Sequence, residues 1–233
     1  EQIRSLIIRN DEQLKLFGFY SEKRSGRIKG ACSFTIDKGF NAVMNKKLTK
    51  LPTSVYEDLY GYRRAKKKKD KELSNFYVDY VIEDSLGNTF LLAEEFYITQ
   101  TYVSMGMNGG YWQTVYHYDD ILILKFNADG NLDWGRSVFK RSTTPSYNAF
   151  LKNDKLHVVL NSGKRLSEKK DGRTKVSKGW FESSSLYDFE YSAGGETMYK
   201  KIQDNKGQTY YLPFYGTYNN GKFIILNYAR KLK

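Results

Sequence analysis

Apolar residues along this chain recur in short runs closed by clusters of Asn, Asp, Gly and Ser, the pattern of strands and hairpins. The clearest case spans 119–138, DDILILKFNADGNLDWGRSV. Ile121, Ile123 and Leu124 lie in one apolar run, Asn127-Ala-Asp-Gly130 supplies turn residues, and Leu132, Trp134 and Val138 belong to a second run. The glycine after Asp129 suits the positive φ that tight hairpin turns demand. The stretch therefore reads as a β-hairpin.

Its flanks repeat. Four segments, 12–20, 87–97, 153–162 and 220–228, each show a turn followed by an apolar strand ending in a small or polar residue. Aligning Gly18, Ala93, Asn161 and Asn227 spaces them by about 75, 68 and 66 residues, a repeat signal. The hairpin recurs between them: Gly130 to Trp134 is echoed by Gly195 to Tyr199 and more faintly by Gly39 to Val43. One unit then holds about four strands. In the second unit these fall at 76–83, 89–99, 116–127 and 132–140, in the first at 3–9, 14–20, 27–36 and 40–48, and in the third at 147–151, 156–161, 185–191 and 197–203. A fourth unit starts at 208–215 and 222–228.

Four-stranded units in tandem predict an all-β chain, a β-propeller of antiparallel blades with about three and a half blades present. The repeats cover approximately 1–50, 76–140, 147–205 and 208–233 of a single region, 1–233, expected to be part of a larger ring. A β-sandwich is the alternative, and the long spacing between copies favours the propeller. The half unit at 208–233 is expected to be completed by strands from elsewhere, either an absent N-terminal portion or the first residues. Three stretches interrupt the pattern as inserted loops, 51–75, 100–115 and 163–184. In the first, Val55, Leu59 and Tyr62 at helical spacing predict a short helix ahead of Lys66-Lys67-Lys68-Lys69.

Composition agrees with strands: 20 Tyr, 14 Phe and 3 Trp stand against only 3 Pro in 233 residues. Cys32 is the sole cysteine, which excludes an internal disulfide. A net charge of +12 steers the chain toward anionic surfaces, but the charge is spread too widely to mark a site. The sequence opens at Glu1 with no initiator Met, basic segment or apolar leader, and holds no apolar run long enough for a transmembrane segment. It reads as a processed protein or a piece of a longer one.

Gly130-x-x-x-Trp134 resembles the repeat of quinoprotein-like propellers, in which a glycine turn precedes a Trp that docks between adjacent blades. Tyr199 takes the place of the Trp in the third copy, and no cofactor-binding set accompanies the motif, so the resemblance implies the packing role of Trp134, Gly130, Tyr199 and Gly195 and no quinone or other cofactor. Asp84-Ser-Leu-Gly87-Asn88-Thr-Phe90, with Asp204-Asn-Lys-Gly207-Gln-Thr-Tyr210, is similar to the Asp-x-x-Gly-Asn-x-Tyr strand start of secreted and envelope bacterial β-propeller repeat proteins. That resemblance implies an assembly or interaction scaffold. The stretch Asn127 to Trp134 departs from the Asp box of propeller hydrolases, lacking its leading Ser.

Catalytic chemistry has little to work with. His117 before Asp119-Asp120 could be a base oriented by a carboxylate, yet a strand histidine with a satisfied side chain is the commoner reading, and His157 between Leu156 and Val158 reads as a sheet-face residue. Two His and one Cys argue against zinc. Glu94-Glu95 and Asp119-Asp120 are adjacent carboxylates, and neighbours on a regular strand point to opposite faces. Asp84, Asp129 and Asp133 lack a calcium-loop spacing and read as turn residues. No residue is assigned a catalytic or metal-binding role.

Two loops are candidate binding sites. Lys66, Lys67, Lys68 and Lys69 suit a polyanion, though with no aromatic-interleaved motif beside them nucleic acid is disfavoured. Tyr111 and Trp112 beside Gly109-Gly110 suit recognition of proteins or sugars, against the reading that they fold back over a blade. The expected function is a non-enzymatic scaffold presenting loops to protein partners in a bacterial envelope or extracellular complex, periplasmic, outer-membrane-associated or extracellular. The alternatives are a carbohydrate-binding or carbohydrate-cleaving propeller and a polyanion-binding module.

Overall fold

The structure is a computed structural model and describes residues 7–9, 13–23, 26–37, 39, 42–69, 71–163, 166–168, 174–176, 184–205 and 209–229. In chain order come β1 (Ile7–Arg9), β2 (Gln13–Tyr20), β3 (Arg27–Ile28), β4 (Gly30–Asp37) and β5 (Val43–Lys50), then helices α1 (Thr53–Tyr60) and α2 (Tyr62–Lys68). Next are β6 (Leu73–Ser74), β7 (Phe76–Glu83), β8 (Thr89–Ser104), β9 (Gly110–Phe126) and β10 (Leu132–Lys140). The remainder holds β11 (Tyr147–Lys152), β12 (Lys155–Gly163), β13 (Ser167–Glu168), β14 (Thr174–Val176), β15 (Ser184–Tyr191), β16 (Thr197–Asp204), β17 (Thr209–Asn219) and β18 (Lys222–Ala229).

The chain is all-β, built of antiparallel sheets of which none is closed. Three are four-stranded meanders: β1-β2-β4-β5, β7-β8-β9-β10 and β11-β12-β15-β16. A parallel pairing of β14 on β10 extends the middle sheet through β13, β17 pairs with β18, and β3 pairs with β6.

Alternation of side chains explains how the sheets stack. Leu91 and Ala93 of β8 and Leu122 and Leu124 of β9 face Phe17, Phe19 and Ala31 of the first sheet and Val55, Tyr56 and Leu59 of α1. Their neighbours Phe90, Leu92, Ile121 and Ile123 face Leu156, Val158, Leu160, Tyr187, Phe189 and Tyr191 of the third sheet. The middle sheet is covered on both faces, so β8 and β9 read there as continuous apolar runs rather than alternating ones. The odd positions of β12 and even positions of β11 point the other way. Phe150 stacks on Tyr218 at 4.3 Å and Phe223 at 5.1 Å, and the side-chain amides of Asn148 and Asn161 donate to the carbonyls of Gly216 at 2.8 Å and Tyr211 at 2.7 Å. The β17–β18 hairpin thus forms a fourth layer on the third sheet.

One turn chemistry is used three times. Asp84, Asn127 and Ser192 each accept from the amide three residues on, at Gly87, Gly130 and Gly195, and donate their own amide to the carbonyl four residues on. Each side-chain oxygen also accepts from the amide four residues on, at Asn88, Asn131 and Glu196. The glycines sit at φ 78°, 78° and 82°, which a Cβ would strain.

Within the insertion at 51–75 the expected short helix is present as α1, and α2 follows it; Ser54 donates to the Gly135 carbonyl, and Asp58 pairs with Arg136 at 2.8 Å and accepts from the Ser137 amide, clamping α1 to β10. Residues 100–115 are not a loop: β8 and β9 continue through them almost to the tip. Among the described residues β1 pairs with β2, and β17 and β18 pair only with each other. Residues 40–41 and 206–208 and most of 164–183 lie outside the described residues, and with them much of the third expected loop, the faint first copy of the hairpin, and the Gly207 turn.

Candidate functional site

Beyond Glu95 and Tyr118 the β8–β9 pair leaves the sheet. Nine residue pairs, from Phe96 with Tyr118 to Ser104 with Gly110, form a two-stranded ribbon with no third strand on either side among the described residues. At about 3.4 Å per residue it projects roughly 30 Å. The tip is a single 3-10 turn over Gly106–Asn108, with Gly106 at φ 71° and Gly109 at φ 86°.

The pairing register sorts the ribbon's side chains. Phe96, Ile98, Gln100 and Tyr102 share one face with Tyr118, Tyr116, Thr114 and Trp112. On that face Ile98, Tyr102, Tyr116 and Trp112 are all exposed, Trp112 to 66%. The opposite face carries Val103 with Tyr111, the latter 52% exposed, while Met105 and Met107 stand exposed at the tip. Tyr111 and Trp112 therefore do not fold back over a sheet. Trp112 meets the ring of its cross-strand neighbour Tyr102, edge to face at 5.5 Å. Exposed aromatics grouped with methionines mark a contact surface far more strongly than single exposed apolar residues do.

A charged clasp holds the root. The ladder slips between Glu94 and Phe96, so Glu95 stands opposite both Asp119 and Asp120. This bulge overrides the alternation expected of adjacent carboxylates. Asp119 and Asp120 both reach Arg141, Asp119 at 3.6 Å, and Asp119 also accepts from the Tyr97 hydroxyl at 2.9 Å. The Lys140 ammonium lies 2.6 Å from Glu94 and donates to the Tyr118 carbonyl, with both side chains buried. At Glu94 Oε1 the approach is an ion-pair contact outside hydrogen-bond geometry. Burial pushes the Glu94 carboxyl up and the Lys140 ammonium down, each shift opposed by the partner's charge. Burial and the neighbouring Asp120 push Glu95 up to about 7, and burial raises Asp120 to about 6 against the pull of Arg141. Main-chain bonds from Phe96 to the Asn75 carbonyl and from Tyr118 to the Ser142 carbonyl pin the ribbon on both edges. With its acids bound to cations, the cluster is arranged to fix the ribbon's exit.

The other expected residues lie elsewhere. Lys66, Lys67 and Lys68 end α2 and Lys69 caps it, so successive lysines radiate about 100° apart around the helix instead of lining one face. Lys66 covers the Tyr62 ring and Lys68 the Tyr60 ring, each at 4.9 Å. Trp134 sits where the second and third sheets meet. It stacks on Tyr191 at 6.1 Å, donates Nε1–H to the Ala193 carbonyl at 2.9 Å, and lies so close to Gly195 that a Cβ there would come within 2.8 Å of its ring. It is only partly buried, because its ring covers the turn instead of entering the core behind it. Tyr199 packs on Phe189 at 5.7 Å with its outer face exposed. Gly130 approaches Ser33, whose hydroxyl donates to its carbonyl at 2.7 Å, tying that turn to the first sheet.

His117 bonds Thr99 at 2.8 Å and stacks on Tyr97, away from a catalytic carboxylate, and His157 bonds Asp188 at 2.8 Å. Asp84 is spent on its own turn, and Asp133 lies 3.5 Å from Lys125. Among the described residues no group of His, Cys, Asp and Glu is placed to hold a metal ion, and no helix is long and apolar enough to cross a membrane. No protein-family model, curated protein or solved structure matches this chain.

Sequence reasoning marked Tyr111 and Trp112 but missed Ile98, Tyr102 and Tyr116, which share the ribbon. A signal was present: two runs rich in aromatic, β-branched and threonine residues, 96–104 and 110–118, flank one glycine-rich turn.

Proposed function

We propose that this chain is a non-enzymatic interaction scaffold in which the stacked four-stranded sheets are successive blades of a β-propeller and the β8–β9 ribbon docks onto a protein partner in a bacterial envelope or extracellular complex. One observation carries the proposal: the ribbon's aromatic side chains are exposed although the body beneath them buries residues of the same kind. Ribbons with open edges add hydrogen-bonding strands to a partner, and large aromatics at the centre of such a contact supply most of its energy. The blade reading is supported by the meander order within each sheet and the face-to-face stacking of consecutive sheets.

A sugar partner is less well served. Tyr102 and Trp112 meet at 62°, so their rings offer no common flat platform for a pyranose. A polyanion partner finds the lysines of α2 divergent.

The test is site-specific photocrosslinking in envelope extracts, with the crosslinking residue placed at Met107 on the ribbon tip or at Leu86, an exposed apolar residue on a turn of the same sheet. A discrete adduct from position 107 and none from 86, abolished by Tyr102→Ala with Trp112→Ala, is the expected result. The same adduct from both positions, or one that survives the double substitution, rules the ribbon out as the docking surface.

A further inference from the structure

A cavity of about 240 Å³ opens between α1, α2, β6 and the root of the ribbon, lined by residues from six separate elements. Its wall is mostly polar. Arg27, Lys68 and Lys71 supply three cations, Tyr60 and Ser74 two hydroxyls, and Glu95 enters from the bulge. The cations are placed by the fold. Lys68 is held with its ammonium over the Tyr60 ring, and the segment carrying Lys71 is fixed by a 3.2 Å bond from the buried Tyr56 hydroxyl to the Lys71 carbonyl.

Two acids, Glu72 and Glu95, border the same cavity, and Glu72 Oε1 is turned to the backbone amides of Glu22 at 2.7 Å and Lys23 at 3.2 Å. Among the described residues, no carboxylate lies within ion-pair distance of Arg27, Lys68 or Lys71. Burial raises Glu95 to about 7, so at neutral pH it carries only part of a negative charge and retains a proton to donate. Three cations set around a recess with two acids leave an excess of positive charge there, and an anion relieves the repulsion among them.

We propose that this cavity binds a small soluble anion of the phosphate class, with Arg27, Lys68 and Lys71 as charge partners and Tyr60 and Ser74 as hydroxyl donors. Three cations outnumber the two lining acids, Glu72 and the partly protonated Glu95, and the surplus together with two hydroxyls suits a phosphate-class oxyanion. The Arg27 guanidinium can take two phosphate oxygens at once, which leaves the lysines as point charges for the rest. The site owes nothing to the ribbon's aromatic face.

Calorimetric titration of the full chain at fixed ionic strength tests this with pyrophosphate, inorganic phosphate and citrate as probes, and with phosphatidic-acid vesicles as the lipid arm. Saturable one-to-one binding of pyrophosphate is expected, weakened about tenfold or more by Lys68→Met or Arg27→Gln, the loss of one charge-assisted contact. Lys67→Met, which removes the same charge outside the cavity, should leave it unchanged, as should Trp112→Ala. If Lys68→Met lowers the unfolding midpoint, Arg27→Gln on its exposed strand carries the test. Absence of saturable heat, equal weakening by Lys67→Met, tighter binding of citrate, or binding to vesicles alone each overturns the proposal.

Discussion

The strands β8 and β9 pass through two environments without a break in their pairing. Over 89–94 and 121–126 they lie between two other sheets, and Leu91, Leu92, Ile121, Leu122, Ile123 and Leu124 have no exposed surface. Over 96–104 and 110–118 no sheet covers them among the described residues, and Ile98, Tyr102, Tyr111, Trp112 and Tyr116 face solvent. The difference lies in the side chains: aliphatic residues fill the two-sided core, whereas aromatic and polar residues predominate along the free ribbon. Aliphatic runs gain from burial on both faces, and Tyr and Trp tolerate water at one end while offering apolar area at the other. The exposed aromatics of the ribbon are the feature on which the proposed docking role rests.

Truncation in the covered half should break the molecule most. Leu92→Ala is expected to cost roughly 2–5 kcal/mol in chemical denaturation, since it is fully buried in the core shared with the third sheet. At the boundary, Lys140→Met should cost about 3 kcal/mol by stripping the cation from buried Glu94. That loss should be smaller at pH 5.5 than at pH 8, because Glu94, its carboxyl already raised by burial, takes up a proton instead. A loss independent of pH would place the charge elsewhere. Trp134→Ala, which uncovers a turn and not a core, is expected to cost about 2 kcal/mol, less than a fully buried Trp.

The clasp also sets a pH dependence. Glu95 and Asp120 have folded-state values raised above their unfolded ones, so the folded protein binds their protons more tightly. Stability should therefore fall as pH rises from about 4 to about 7, and level off above. Glu95→Gln should flatten part of that slope in denaturant midpoints measured across the window. Smallest in stability, and largest in binding, is the ribbon: Trp112→Ala should change the unfolding free energy by under about 1 kcal/mol. A larger loss would mean that the ring is covered after all.

Much of the architecture is legible along the chain. Strands at 76–83 and 132–140 fall where their alternation puts them, and the turns at Gly87, Gly130 and Gly195 follow from an Asp, Asn or Ser three residues before a glycine. These are local matters, decided by a side-chain oxygen and a φ value. The ribbon was harder to read, because Gly106, Gly109 and Gly110 look like a loop when the register of the flanking strands is unknown. The clasp was harder still: two adjacent carboxylates converge on Arg141 only because the ladder slips at Glu95, and no alternation pattern announces a slip.

The sequence alone determined the strand content, the hairpin turns and the all-β class, since each depends on interactions within a few residues or on a period of two. Only the tertiary structure decided which strand faces are covered. It placed α1 against β10, left the ribbon bare, and brought Arg27, Lys68, Lys71 and Glu95 around one cavity. Those outcomes depend on residues far apart in the chain meeting across sheets, and such meetings are fixed by packing.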